Sequence, residues 1–304
     1  MAIPEPISPQ VWAEGLEFER LGPLRRLLKS AVINPLANYV PAVLQRAFLR
    51  SLRSELAAAN WADPGGWKSM VICYQDRRKR LADKLLCTLG TIPMALRNRR
   101  KLAARVLARL IASADHEPVE VLCLGAGPGH VVHDAIRECR KRARATLVDL
   151  SGDAFDHGRR LAAECGTDGH VRFIQGDVRH VRTMLDRPPD IVQMMGICEY
   201  LDDEHIRDIT RAVAEVMPQG SCVMFNSLSA AHGTDRFFRR VFGLRLNHRT
   251  PQQLSDLMRL AGFNHFVALP EPLGVYQVII GRKTSDGVTT EAPRIRPPSA
   301  PPRG

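Results

Sequence analysis

The stretch Glu120-Val121-Leu122-Cys123-Leu124-Gly125-Ala126-Gly127-Pro128-Gly129-His130 restricts the fold of this chain more than any other part of it. Its first half is a short apolar run rich in β-formers, which predicts a buried strand. Its second half places glycine at every other position, and Val131 to Ile136 then resume a helical rhythm. A strand that breaks into glycines and then a helix brings bare backbone N–H groups to a helix N-terminus. A nucleotide-like ligand approaches closely there because no Cβ is in the way. The dinucleotide fingerprint G-x-G-x-x-G needs its third glycine where His130 stands, so the spacing here is G-x-G-x-G.

From residue 117 onward, strand-like segments at 119–124, 145–149, 171–174, 190–195, 221–226, 264–269 and 275–281 alternate with helical ones. Alternation of this kind predicts an α/β fold: a mostly parallel seven-stranded sheet with helices on both faces. The last two strands are separated only by a short Pro/Gly connection, which predicts an antiparallel pair at one edge. Residues 1–115 read as helical throughout. Leu44, Phe48, Leu52 and Leu56 fall four apart on one face, and a break at Asn60 to Trp67 follows. Further helices are expected over 68–88 and 95–113, interrupted near Gly90 to Pro93. The expected organisation is therefore a helical N-terminal extension or cap over 1–115, a Rossmann-like domain over 116–283, and a disordered proline-rich tail over 284–304.

A chain of 304 residues that is 45% apolar buries a full core. No apolar run reaches the ~20 residues of a membrane span, and the N-terminus lacks the layout of a signal peptide. The 7 cysteines include no C-x-x-C pair, which argues for thiols in a reducing, cytoplasmic compartment and against a disulfide framework or metal site. The net charge of +11 comes from clusters at 77–80, 97–101, 140–144 and 236–240. Their helical spacing reads as solvated helix faces, while attraction to an anionic substrate, a membrane surface or nucleic acid stays open.

Asp149 ends the second strand 20 residues after Gly129. A carboxylate there accepts hydrogen bonds from both ribose hydroxyls of an adenosine, a feature that NAD enzymes share. Val171 to Ile174 followed by Gly176-Asp177-Val178 supplies another strand-end carboxylate, and Asp190-Ile191-Val192-Gln193-Met194-Met195-Gly196-Ile197 forms the fourth strand and its exit. Together with Met217-Pro218-Gln219-Gly220 and Ala261-Gly262-Phe263, this order resembles the class I S-adenosylmethionine-dependent methyltransferases over residues 117–283. The resemblance implies that Gly125, Ala126, Gly127 and Gly129 cradle S-adenosylmethionine. It further implies Asp149 on the ribose, Leu150 against the adenine, Asp177 and Val178 at the adenine edge, and Gly196 and Ile197 near the methionine. One position departs from the pattern: Cys123 stands two before the first glycine, where the family commonly has an acid near the methionine amino end.

Methyl transfer is governed by positioning, and a base is needed only when the acceptor carries a proton in its attacking form. The catalytic candidates are Glu199 and Tyr200 after strand four, with Asn226, His232 and His248 behind them. The two histidines are expected as surface loop residues, and Trp61, Trp67 and Tyr74 as aromatic core packing ahead of their other reading, the lining of an acceptor pocket. The resulting expectation is methyl transfer to the oxygen or nitrogen of a small-molecule acceptor, lipid-like or anionic, with peripheral membrane contact open. RNA methylation is an alternative, although 6% aromatic residues and no RNA-binding module weigh against a nucleic-acid partner. Non-catalytic cofactor binding is the other alternative. The oligomeric state is not encoded in any of these features.

Overall fold

The computed structural model describes residues 9–75 and 80–284. The expected tail from residue 285 onward, and Arg77 to Lys79 of the first basic cluster, lie outside the described residues.

The expected sheet forms from β1 (Val119–Leu124), β2 (Ala143–Asp149), β3 (Val171–Gln175), β4 (Ile191–Met194), β5 (Cys222–Leu228), β6 (Phe263–Pro270) and β7 (Tyr276–Lys283). Its order is β3–β2–β1–β4–β5–β7–β6. Strands β1 to β5 are mutually parallel, and β7 inserts antiparallel between β5 and the edge strand β6. The alternation along β1 explains its unbroken apolar sequence. Val121 and Cys123 face one core, and Leu122 and Leu124 face the other, so both faces exclude water. The helices α11 (Asp203–Val216) and α13 (Pro251–Arg259) cover the second face. The first is covered by α8 (Thr91–Ala112), whose Val106, Leu107, Leu110 and Ile111 share a core with Val119 and Val121. The last helix before residue 115 thus packs directly on the sheet and joins it to the helices that precede.

Those helices differ from the sequence expectation in their breaks. Leu44 and Phe48 lie on α4 (Ala42–Ser51), but Leu56 belongs to α5 (Glu55–Ala62). Arg53 has φ of 49°, and the Ser54 hydroxyl then caps α5 by accepting from the Ala57 N–H at 3.0 Å. The expected helix over 68–88 is two, α6 (Trp67–Tyr74) and α7 (Leu81–Leu89). Pro93 does not interrupt α8. It sits in the first turn, where its missing N–H has no intrahelical partner to lose. Earlier in the chain, the short α1 (Pro9–Trp12) precedes α2 (Pro23–Leu28), which passes through a π-turn at Lys29–Ile33 into α3 (Asn34–Tyr39); α10 (Gly152–Cys165) follows β2 and the short α12 (Asp235–Phe237) follows β5. Leu56, Cys73, Cys87 and Leu96 pack with Leu228 and Tyr276, which seats this helical layer over the carboxyl end of β5.

Candidate active site

A cavity of about 640 Å³ opens beyond the carboxyl ends of the parallel strands. The strand order reverses between β1 and β4, the place where open α/β sheets leave a crevice for ligand. All ten residues expected at a cofactor border it: Gly125, Ala126, Gly127, Gly129, Asp149, Leu150, Asp177, Val178, Gly196 and Ile197. The turn from β1 into α9 (His130–Glu138) ends at Gly129, the helix N-cap, in the left-handed region, φ 83°, and a Cβ there would run into Leu147. Asp149 holds this turn, accepting from the Gly127 N–H at 2.7 Å and the Ser151 N–H at 2.9 Å. Asp177 accepts from the Arg179 N–H at 2.9 Å and from its guanidinium, contacts that hold its carboxyl down at about 2. Leu150 leaves 69% of its surface open on the cavity wall.

A further wall residue escaped sequence reasoning. Gln193 is a buried polar residue inside an otherwise apolar strand, and that interruption was its only signal. It pairs in register with Cys123 on the adjacent strand, so both side chains reach the same wall. Its Oε1 is buried with no hydrogen-bond partner among the described residues. Burial, reinforced by Asp149, pushes the Cys123 thiol well above its usual range, so it supplies no charge. Of the two readings of Trp67 and Tyr74, core packing and pocket lining, the second describes them: both border this cavity, because α6 lies across its mouth. Trp67 donates from Nε1 to Asp153 at 3.1 Å, and Tyr74 faces the His130 ring at 5.2 Å. His130 is neutral, lowered to about 3 by burial and then by Arg100. Trp61 does pack as expected, 6.3 Å from Phe242, with its N–H on the Val241 carbonyl.

Of the five catalytic candidates, Tyr200 alone borders this cavity. Glu199 is 3% exposed and faces Arg99, whose Nη1 donates to its Oε1 at 3.0 Å. Arg99 also lies 4.5 Å over the Tyr276 ring. Asn226 ties this network to the strand-four exit, accepting from the Gly196 N–H at 2.7 Å. Glu199 thus anchors a buried cation of the cavity wall and does not itself border the cavity. His232 is buried, not a surface residue. The Thr234 N–H donates to its Nδ1 at 3.2 Å, and its Nε2 lies 3.2 Å from that of His248. Burial and then His248 lower it to about 4.

A second cavity of about 580 Å³ lies within the helical layer, walled by α3 to α8 and residues 234–246. Its lining is leucine, phenylalanine, methionine and isoleucine with a few polar groups. Lys29 is buried and lowered to about 8 by desolvation, donates to the Leu89 carbonyl at 3.2 Å, and has no carboxylate partner among the described residues. Asn34 Oδ1 and Gln45 Oε1 are buried there without a hydrogen-bond partner among the described residues. The Gln45 amide nitrogen is fixed by the Leu36 and Ala37 carbonyls at 3.0 and 2.8 Å, which commits its oxygen elsewhere. The two cavities share Gly65, Met70 and Tyr200. Gly65 has φ of 78°, and a Cβ would stand 2.6 Å from the Tyr200 hydroxyl, so glycine alone lets the two loops meet there. Burial and Glu199 raise the Tyr200 phenol well above its usual range, which keeps it neutral. Among the described residues, no group of three or more His, Cys, Asp or Glu side chains is arranged to hold a metal.

Residues 121–220 match the family model described as a methyltransferase domain. No curated protein matches the chain. A Bordetella parapertussis structure described as a possible exported protein superposes with a TM-score of 0.62 at 17% identity, covering 88% of this chain and 100% of its own. A Synechocystis magnesium protoporphyrin IX methyltransferase with bound SAH gives 0.54 at 13% identity, covering 79% and 99%. An O-methyltransferase family protein from Burkholderia thailandensis gives 0.50 at 15% identity, covering 80% and 72%. At these identities the likeness is one of fold.

Proposed function

For a chain that carries a class I S-adenosylmethionine-dependent methyltransferase domain, we propose that its two adjoining cavities hold the two reactants of a methyl transfer to a small molecule with an apolar body. The observation that carries this reading is their meeting at Gly65, Met70 and Tyr200, with the predicted cofactor residues confined to one side of the junction. The sheet domain over 116–283 holds the cofactor, and the helices before residue 116 select the acceptor.

The wall residues fit S-adenosylmethionine. Asp149 keeps lone pairs for ribose hydroxyls beyond its two backbone contacts. Gln193 Oε1 is a buried acceptor without a donor among the described residues, on the strand beside Cys123, and we assign it the methionine ammonium that the missing acid would have received. Arg99 offers a cation to the methionine carboxylate from the same wall. When bound, the cofactor supplies an electrophilic methyl on a sulfonium.

The rest of the work falls to positioning. Tyr200 stays a neutral phenol at the junction and cannot act as a base near neutral pH. Glu199 is committed to Arg99, so its role is to hold that cation in place. In the helical layer, the apolar wall desolvates the acceptor, Asn34 Oδ1 and Gln45 Oε1 accept from its hydroxyl or amine groups, and Lys29 pairs with an anionic group. Oxygen and nitrogen are the acceptor atoms such polar groups orient, and cytoplasmic residence is part of the same proposal.

The test is twofold. Calorimetry should show saturable binding of S-adenosylmethionine and S-adenosylhomocysteine. Labelled methyl should then pass into hydroxylated or aminated amphiphiles and not into equally polar molecules that lack an apolar body. Cofactor binding without any transfer across such a panel would leave a binding protein in place of an enzyme.

A further inference from the structure

Among the described residues, 15 large hydrophobic side chains are exposed, and all but Leu150 and Leu260 fall between residues 11 and 89. Leu24, Leu27, Leu28, Val32, Leu36 and Tyr39 recur at spacings of three and four along α2, the π-turn and α3. Val43, Leu44 and Phe48 continue on α4, and Leu81, Leu85 and Leu89 on α7. Scattered exposed leucines need no explanation, but a concentration of this kind marks an interaction surface. It surrounds the second cavity: Leu36, Leu44, Phe48, Leu85 and Leu89 are both exposed and part of that cavity's lining.

The charge of the same segment is one-sided. Residues 20–54 contain Arg20, Arg25, Arg26, Lys29, Arg46, Arg50 and Arg53 and not one Asp or Glu. Of these, Arg20, Arg25, Arg26, Arg50 and Arg53 are exposed, with Arg25 and Arg26 next to the leucines of α2. A second copy of the chain meeting this face with its own would set like charges against each other, whereas an anionic surface is complementary to it.

We propose that this face is an interfacial docking surface for an anionic lipid bilayer, with the leucines and Phe48 entering the headgroup boundary and the arginines meeting lipid phosphates. Among the described residues no helix is long and apolar enough to cross a membrane, and the attachment is peripheral. It places the mouth of the second cavity against the lipid. That the bilayer then delivers the methyl acceptor rests on the reading of that cavity as the acceptor site; the docking itself does not.

The experiment is co-sedimentation of the full chain with vesicles of phosphatidylcholine alone and of equal parts phosphatidylcholine and phosphatidylglycerol, at low and high salt. Strong binding is expected to the anionic vesicles only, weakening with salt as exposed charge pairs do. Replacing Arg25 and Arg26 by Ala should weaken it about 30-fold, roughly fivefold for each arginine near the surface. Leu27→Asp/Leu44→Asp should abolish it. Both variants alter exposed positions, and an unchanged melting temperature and S-adenosylhomocysteine affinity confirm that fold and cofactor site are intact. Failure to bind anionic vesicles, or equal binding to both compositions regardless of salt, overturns the proposal. So does a concentration-dependent dimer in analytical ultracentrifugation that the leucine variant dissociates, because the face then belongs to a second copy. Vesicle binding without any cofactor binding upholds the docking surface and removes the methyltransferase reading instead.

Discussion

Gln193→Met removes the one polar acceptor on the strand beside Cys123 while keeping an unbranched side chain of similar length. Two opposite effects are expected. In the free protein, Gln193 Oε1 is buried without a donor among the described residues, and such a group costs the fold roughly 1–3 kcal/mol. Its removal should therefore leave the unliganded protein as stable as before or more so. With cofactor, the variant loses a hydrogen bond to a charged ammonium, worth about 1.5–3 kcal/mol, or about 10- to 150-fold in affinity. Calorimetry with S-adenosylhomocysteine reads the second effect, and thermal unfolding without ligand reads the first. Adding Cys123→Asp to this variant returns an acceptor from the adjacent strand, and should recover most of the lost affinity. An unchanged dissociation constant in Gln193→Met would refute the assignment. A weaker constant with a destabilised free protein would reduce Gln193 to a packing role.

Asp149→Ala frees the Gly127 and Ser151 N–H groups as well as removing the ribose acceptor, so cofactor binding should fall by more than tenfold; wild-type affinity would remove Asp149 from the site. Glu199→Gln leaves Arg99 as an uncompensated buried cation, and a loss of about 3–5 kcal/mol in urea unfolding is expected. The pH–rate profile of its residual activity should keep its shape; a vanished acidic limb would make Glu199 a base after all. His232 is lowered from 6.5 to about 4, so the unfolded chain binds the extra proton first. Its stability contribution is complete above pH 6.5, declines on acidification and is lost through pH 4, with a loss on the order of 2 kcal/mol by pH 5. His232→Gln should flatten the urea-midpoint slope over that range by this amount, and an unaltered slope would contradict the assigned burial effect.

The sheet was legible because its signals are local. A strand buried on both faces is a continuous apolar run, as in Val119 to Leu124, and a glycine turn before a helix is written in consecutive residues. The helix breaks were less legible. Arg53 takes a left-handed φ and Ser54 caps α5 with support from Asp83, 29 residues away, which no local pattern contains. Trp67 and Tyr74 carried two readings for a related reason. A large aromatic reads the same on a core helix as on one laid across a cavity, and only the position of α6 distinguishes them. His232 looked like a loop residue because its partners Thr234 and His248 are brought together by the packing of the segment after β5.

By itself, the sequence determined the alternating architecture, because backbone hydrogen bonding and side-chain periodicity act over a few residues, and its resemblance to a known family pointed to the ten residues that gather around one cavity. Tertiary structure decided which polar groups are available for chemistry. It spent Glu199 on Arg99, set Gln193 Oε1 beside Cys123 across a strand register, and joined two cavities at Gly65 and Tyr200, 135 residues apart. Burial and partnership are properties of contacts between distant segments, and these fix whether a side chain holds the fold together or is left free to meet a ligand.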